Sequence, residues 1–147
     1  MVVNSSPQVF LFLSQILRKR IIDPMGRPQG RVSDLVVTIS DLYPPVTGVL
    51  FLPVGKKNPS RFPWQRVTEV GDRLVVQPLT PEDQVEASVG ERELLLKDSL
   101  LDKQIVDTHG AKILRVNDLH LLKVNRNLRL VHVDVGLRGL MRRVGLE

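Results

Sequence analysis

An ungapped internal repeat constrains this chain more than any other feature. Leu17-Arg18-Lys19-Arg20-Ile21-Ile22-Asp23-Pro24-Met25-Gly26 matches Leu101-Asp102-Lys103-Gln104-Ile105-Val106-Asp107-Thr108-His109-Gly110. At the same offset Arg31-Val32-Ser33-Asp34-Leu35 matches Arg115-Val116-Asn117-Asp118-Leu119. Two copies of one unit in 147 residues leave each copy near the size at which a core is marginal alone.

Either copy shows the physics of the unit. An apolar pair runs into Asp-x-x-Gly, a four-residue turn. Asp23 or Asp107 at its first position can accept backbone N–H bonds, and Gly26 or Gly110 supplies a positive φ. A second strand is predicted over 30–39 and 113–124. In the second copy a turn at Asn125-Arg126-Asn127 leads to a strand over 128–135, whose alternation changes phase near Leu130 as at a bulge. In the first copy the turn is Leu42-Tyr43-Pro44-Pro45. Beyond it lie a strand from Val46 to Val54, the Phe62-Pro63-Trp64 segment and a strand from Arg73 to Val76.

Aromatic residues are only 4% of the chain, so Val, Leu and Ile must build the core, and these favour a pleated sheet. The pattern predicts a mainly β chain of two small barrels in tandem, with short helical turns and a C-terminal amphipathic helix. The expected division is a first domain over 1–79, a linker over 80–91 and a second domain over 92–147. The linker is polar, and Thr80-Pro81-Glu82-Asp83 within it reads as a helix start. At the repeat offset the counterpart of Trp64 would lie past Glu147. The second copy is therefore expected to lack its last element, and the chain to be a piece or a truncation of a longer protein.

Composition narrows the chemistry. The absence of Cys removes disulfides, thiolate metal sites and Cys nucleophiles. The net charge of +5 comes from 21 basic against 16 acidic residues, scattered along the chain as an ordinary solubility charge. Val9 to Leu13 is far shorter than the ~20 residues of a spanning helix and lacks signal-peptide flanks, so a cytosolic protein is expected.

No catalytic order of residues, phosphate-cradling loop or nucleotide fingerprint appears, and neither enzymatic activity nor a cofactor is expected. His132 and Asp134 share a strand face and are the weak metal candidates; His109 and His120 fall in a turn and mid-strand. Two ligands do not make a site. Asp34 and Asp118 lie three residues after an Arg, on the opposite face of an ideal strand, and are read as structural with separate partners. Trp64 is read as the plug of one barrel end. Leu137, Leu140, Met141 and Val144 recur at helical spacing opposite Arg138, Arg142 and Arg143, an amphipathic surface that with Trp64 forms the candidate interface.

These phrases resemble PRC-barrel domains. That small β-barrel also occurs in the photosynthetic reaction centre H subunit and in RimM-type ribosome maturation factors. Leu13 to Leu17, Ile21-Ile22-Asp23-x-x-Gly26, Gly30 to Leu35 and Phe62-Pro63-Trp64-x-x-Val67 are similar to the general pattern. The second copy, with Val133-Asp134-Val135-Gly136-Leu137-Arg138-Gly139 through Gly145, resembles the tandem barrels that precede the acidic helical domain and CBS pair of bacterial MgtE-type magnesium transporter-related proteins. The resemblance implies a non-catalytic regulatory module. Its expected partners are proteins: a second copy, or the helical and CBS-type domains of a longer parent beside the inner membrane. Nucleic acid is not expected. The alternatives are a RimM-like ribosome-assembly factor, which would bind RNA, and a divalent-ion sensor.

Overall fold

Alternating Val, Leu and Ile give most of this chain its strands, and Gly, Pro and Asp break them. The computed structural model describes residues 8–40, 42–107 and 112–136. It is mainly β, with curled sheets forming a half-barrel. In chain order the elements are β1 (Gln8–Phe12), α1 (Leu13–Ile16), β2 (Arg20–Ile22), β3 (Pro28–Thr38), β4 (Val46–Pro53) and β5 (Ser60–Pro63). Then follow β6 (Val67–Val70), β7 (Leu74–Val76), β8 (Val85–Glu86), β9 (Glu93–Leu95) and α2 (Leu96–Ser99). The last described elements are β10 (Gln104–Asp107), β11 (Lys112–Val124) and β12 (Asn127–Gly136). Single 3₁₀ turns lie at Trp64–Arg66 and Pro81–Asp83.

The repeat is visible in three dimensions. The long strand β3 pairs with β4 along one side and with β2 near its start on the other. Its repeat counterpart β11 pairs in the same way with β12 and β10. Arg18 and Asp102, at the same repeat position, both take positive φ, 71° and 64°. Each also donates its N–H to the carbonyl of the matching valine, Val32 or Val116, at 2.9 Å.

The strands that complete each sheet come from the other copy. β1, ahead of the first copy, pairs with the end of β11, Phe12 opposite His120. β9, ahead of the second copy, pairs with the end of β3, Leu95 opposite Val36. β8 adds to β5. An eight-stranded sheet thus runs β6-β7-β2-β3-β4-β5-β8 with β9 on β3, and a four-stranded sheet joins β1, β11, β10 and β12. The sheets cut across the sequence division at 79 and 92, because the linker and the start of the second copy belong to the first sheet. The buried side chains of both copies form one cluster, from Leu13, Ile16 and Phe51 to Val116, Leu119 and Leu128.

Both long strands are bulged at the same repeat position. Val32 and Asp34 oppose the consecutive residues Phe51 and Leu50, which leaves Ser33 as the extra residue. Val116 and Asp118 oppose Val135 and Asp134, which leaves Asn117. The bulge corrects the expectation for an ideal strand. Arg31 pairs with Leu52 and Asp34 with Leu50, alternate residues of β4, so Arg31 and Asp34 share one face. A further shift between His120 and Leu121 leaves Val131 unpaired on β12, where the sequence alternation changes phase.

Candidate functional site: the exchanged seam and the open half-barrel

The bulge aims each aspartate at the other copy's short helix. Asp34 accepts the backbone N–H groups of Lys97 at 2.7 Å and Asp98 at 3.0 Å, at the start of α2, and that of Leu35 at 2.7 Å. Asp118 accepts the N–H of Ser14 at 3.2 Å, in α1, with the Ser14 hydroxyl and the N–H of Leu119 at 2.8 Å. Helix starts leave unsatisfied N–H donors, and a carboxylate answers them with charge and lone pairs. Here the carboxylate comes from the opposite repeat, so the cap also locks the exchange. Burial pushes the Asp34 carboxyl above its usual range, against the pull of the three N–H donors.

Other contacts cross the same seam. The Trp64 indole is buried, and its Nε1 donates to the Arg126 carbonyl at 2.7 Å, in the hairpin between β11 and β12. Pro45 and Arg129 form an isolated antiparallel bridge, and the Arg129 guanidinium donates to the Tyr43 carbonyl at 3.1 Å. Arg61 on β5 makes a two-pronged ion pair with Glu93 on β9 and donates to the Ser88 carbonyl at 3.0 Å. The Arg61 hydrogen bond, opposed by burial, lowers the Glu93 carboxyl from 4.5 to about 2. Nothing local in the sequence marks this pair, whose members lie in different copies.

The turn residues act locally. Asp23 accepts the N–H groups of Met25 and Arg27 at 2.9 and 2.8 Å and pairs with the Arg27 guanidinium at 2.8 Å. Gly26 closes that turn at φ 82°. Burial opposes ionisation of Asp23, but these bonds hold its carboxyl below the usual range. Asp107 ends β10. His109, Gly110 and the segment carrying Leu137, Arg138, Leu140, Met141, Arg142 and Arg143 lie outside the described residues.

His132 stands opposite His120, with ring centroids 5.2 Å apart, and Asp134 opposite Asp118. Phe12 meets His120 edge-on at 4.4 Å. The register gathers these side chains on one face, yet among the described residues no group of three or more His, Asp or Glu could hold a metal ion.

The second sheet is the open one. In the first, β7 runs parallel beside β2, with Leu74 opposite Ile21, and β5 covers the outer edge of β4. Among the described residues no strand takes those places beside β10 and β12. The cost falls on matching residues: Ile21 is 0% exposed and its counterpart Ile105 is 42% exposed. Val106 is 66% exposed and Phe10 on β1 is 68% exposed, so the open sheet leaves apolar side chains in solvent near both ends of β11. Edges of this kind offer unpaired N–H and C=O groups to another strand. Among the described residues no helix is long and apolar enough to cross a membrane. No protein-family model matches the chain, and no curated protein is significantly similar to it.

Proposed function

We propose that this chain is a cytosolic, non-catalytic interaction module of PRC-barrel type, part of a magnesium-transporter-like, MgtE-related protein. It works by accepting strands at the free edges of its second half-barrel. The donor is a second copy, or the helical and CBS-type domains of the longer parent. The contrast between Ile21 and Ile105 carries this reading. One residue of the repeat is sealed by a neighbouring strand, and its twin is exposed on a sheet whose β10 edge, among the described residues, has no strand beside it and whose β12 edge is met only at Pro44 and Pro45. Apolar strand edges left in this state drive association. The transporter assignment rests on the second copy's sequence, from Leu101 through the Val133 to Gly145 segment.

Sedimentation equilibrium of the whole chain tests the reading, alone and with the helical and CBS-type domains of an MgtE-related protein. Association is expected, and Val106→Lys should weaken it at least about tenfold by placing a charge on the edge. A chain that stays monomeric at every concentration and gains no mass from those domains overturns it.

A further inference from the structure

The first half-barrel carries a cationic pocket that the seam and the open edges do not use. It has a volume of about 500 Å³, within the range of small-ligand sites. Arg20, Arg31, Lys56 and Arg73 line it, with Ile22 and Leu52 as apolar flanks and no acidic side chain.

The sheet register sets the arginines in a row. Arg20 on β2 is directly opposite Arg31 on β3. Arg73 precedes Leu74, and β7 runs in parallel register with β2, Leu74 beside Ile21, so Arg73 stands next to Arg20. Arg31 in turn lies opposite Leu52 on β4. Three guanidinium groups on adjacent strands repel one another, and like charges directly opposite in a ladder destabilise it. Among the described residues none of the four cations is ion-paired; the ion pairs go instead to Arg27, Arg61 and Arg66.

The repeat supplies an internal control. On the same rung of the second copy, Gln104 stands opposite Arg115. The fold therefore accepts an uncharged residue where the first copy places Arg20. Two features fix the geometry around the row. The Arg31 guanidinium donates to the Arg18 carbonyl at 3.0 Å, which orients it and leaves other donors free. Gly30, at φ 150°, lets β3 approach β4 so closely that a Cβ there would lie 2.2 Å from the Leu52 carbonyl oxygen.

We propose that this pocket binds a phosphate-bearing anion. The phosphate is held by the forked donors of Arg20, Arg31 and Arg73, Lys56 supplies further charge, and an apolar part of the ligand rests on Ile22 and Leu52. Arginine suits the site because its planar fork matches phosphate oxygens two at a time. The phosphate can belong to a soluble phosphomonoester or to an anionic lipid headgroup.

Calorimetry on the whole chain with phenyl phosphate, inorganic phosphate and phosphatidylglycerol vesicles distinguishes these sources, with phosphatidylcholine vesicles as the blank. The expected result is binding of phenyl phosphate about tenfold tighter than inorganic phosphate, since the ring adds apolar contact. Arg20→Gln should weaken binding at least about tenfold, whereas Lys112→Gln, the same charge change in the second half-barrel, should leave it unchanged. Phenyl phosphate should also raise the melting temperature of the wild type and not of Arg20→Gln. Without phosphate at low salt, Arg20→Gln should itself melt about 1–3 °C higher, because a repulsive pair is removed. Binding confined to phosphatidylglycerol vesicles and lost in Arg20→Gln supports the pocket with a headgroup as ligand. The proposal is overturned if no probe binds, or if Arg20→Gln and Lys112→Gln weaken binding equally.

Discussion

Glu93 shows how one side chain joins the copies. Its carboxylate holds the Arg61 guanidinium, itself packed over Gly48, and accepts the Gly90 N–H at 2.8 Å. Its ordinary value of 4.5 falls to about 2 in the fold, so the folded chain binds fewer protons than the unfolded one between those limits. The pair's contribution is full above about pH 4.5 and is lost as pH falls toward 2. Glu93→Gln should cost about 1.5–3 kcal/mol at neutral pH, the usual worth of a hydrogen bond to a charged group. Urea denaturation of both chains across this range checks it: the two stabilities should converge as the solution is acidified. A gap that stays constant to the acid end would show that Glu93 contributes by packing alone.

At the scale of an element, the bulges of β3 and β11 decide what the aspartates do. The repeat and the Asp-x-x-Gly turn were legible because identical residues at fixed spacing carry them, and the β12 phase change marked its bulge. Ser33 and Asn117 gave no such signal, since neither is a residue type that demands a bulge. Counting an ideal strand therefore set Arg31 and Asp34 on opposite faces. The pairing of β1 with β11 and β9 with β3 was equally silent, because nothing in Phe10 to Phe12 or Glu93 to Leu95 names a partner strand. The cap geometry makes a graded prediction. Asp34 is 4% exposed and faces three N–H donors, whereas Asp118 is only half-buried. In Asp34→Asn an amide nitrogen would face those donors, and the cost should be about 2–3 kcal/mol, against about 1 kcal/mol for Asp118→Asn. Thermal melts of the two variants decide it; equal costs would mean that burial does not govern the caps.

Over the whole molecule, the exchanged strands should make the two repeats fold as one unit, although the sequence reads as two. The first sheet needs β9 and the cap of Asp34 on α2; the second needs β1 and the cap of Asp118 on α1. The second copy also contributes the smaller part of the shared core, chiefly Leu96, Val116, Leu119, Leu121 and Leu128. A chain of residues 92–147 alone would keep β10, β11 and β12 but lose β1, the Ser14 contact, and the Leu13 and Ile16 side chains packed in the common cluster. Too little apolar surface would remain to offset the conformational entropy of ordering it. Residues 92–147 expressed separately should therefore show no cooperative melt as a monomer. Mixed with residues 1–91, they should recover sheet circular dichroism and a single transition, because the exchanged strands re-form across the cut. A cooperative melt of monomeric 92–147 by itself would mean that the second half-barrel folds without β1. The exchange would then be a surface contact rather than the step that closes the core.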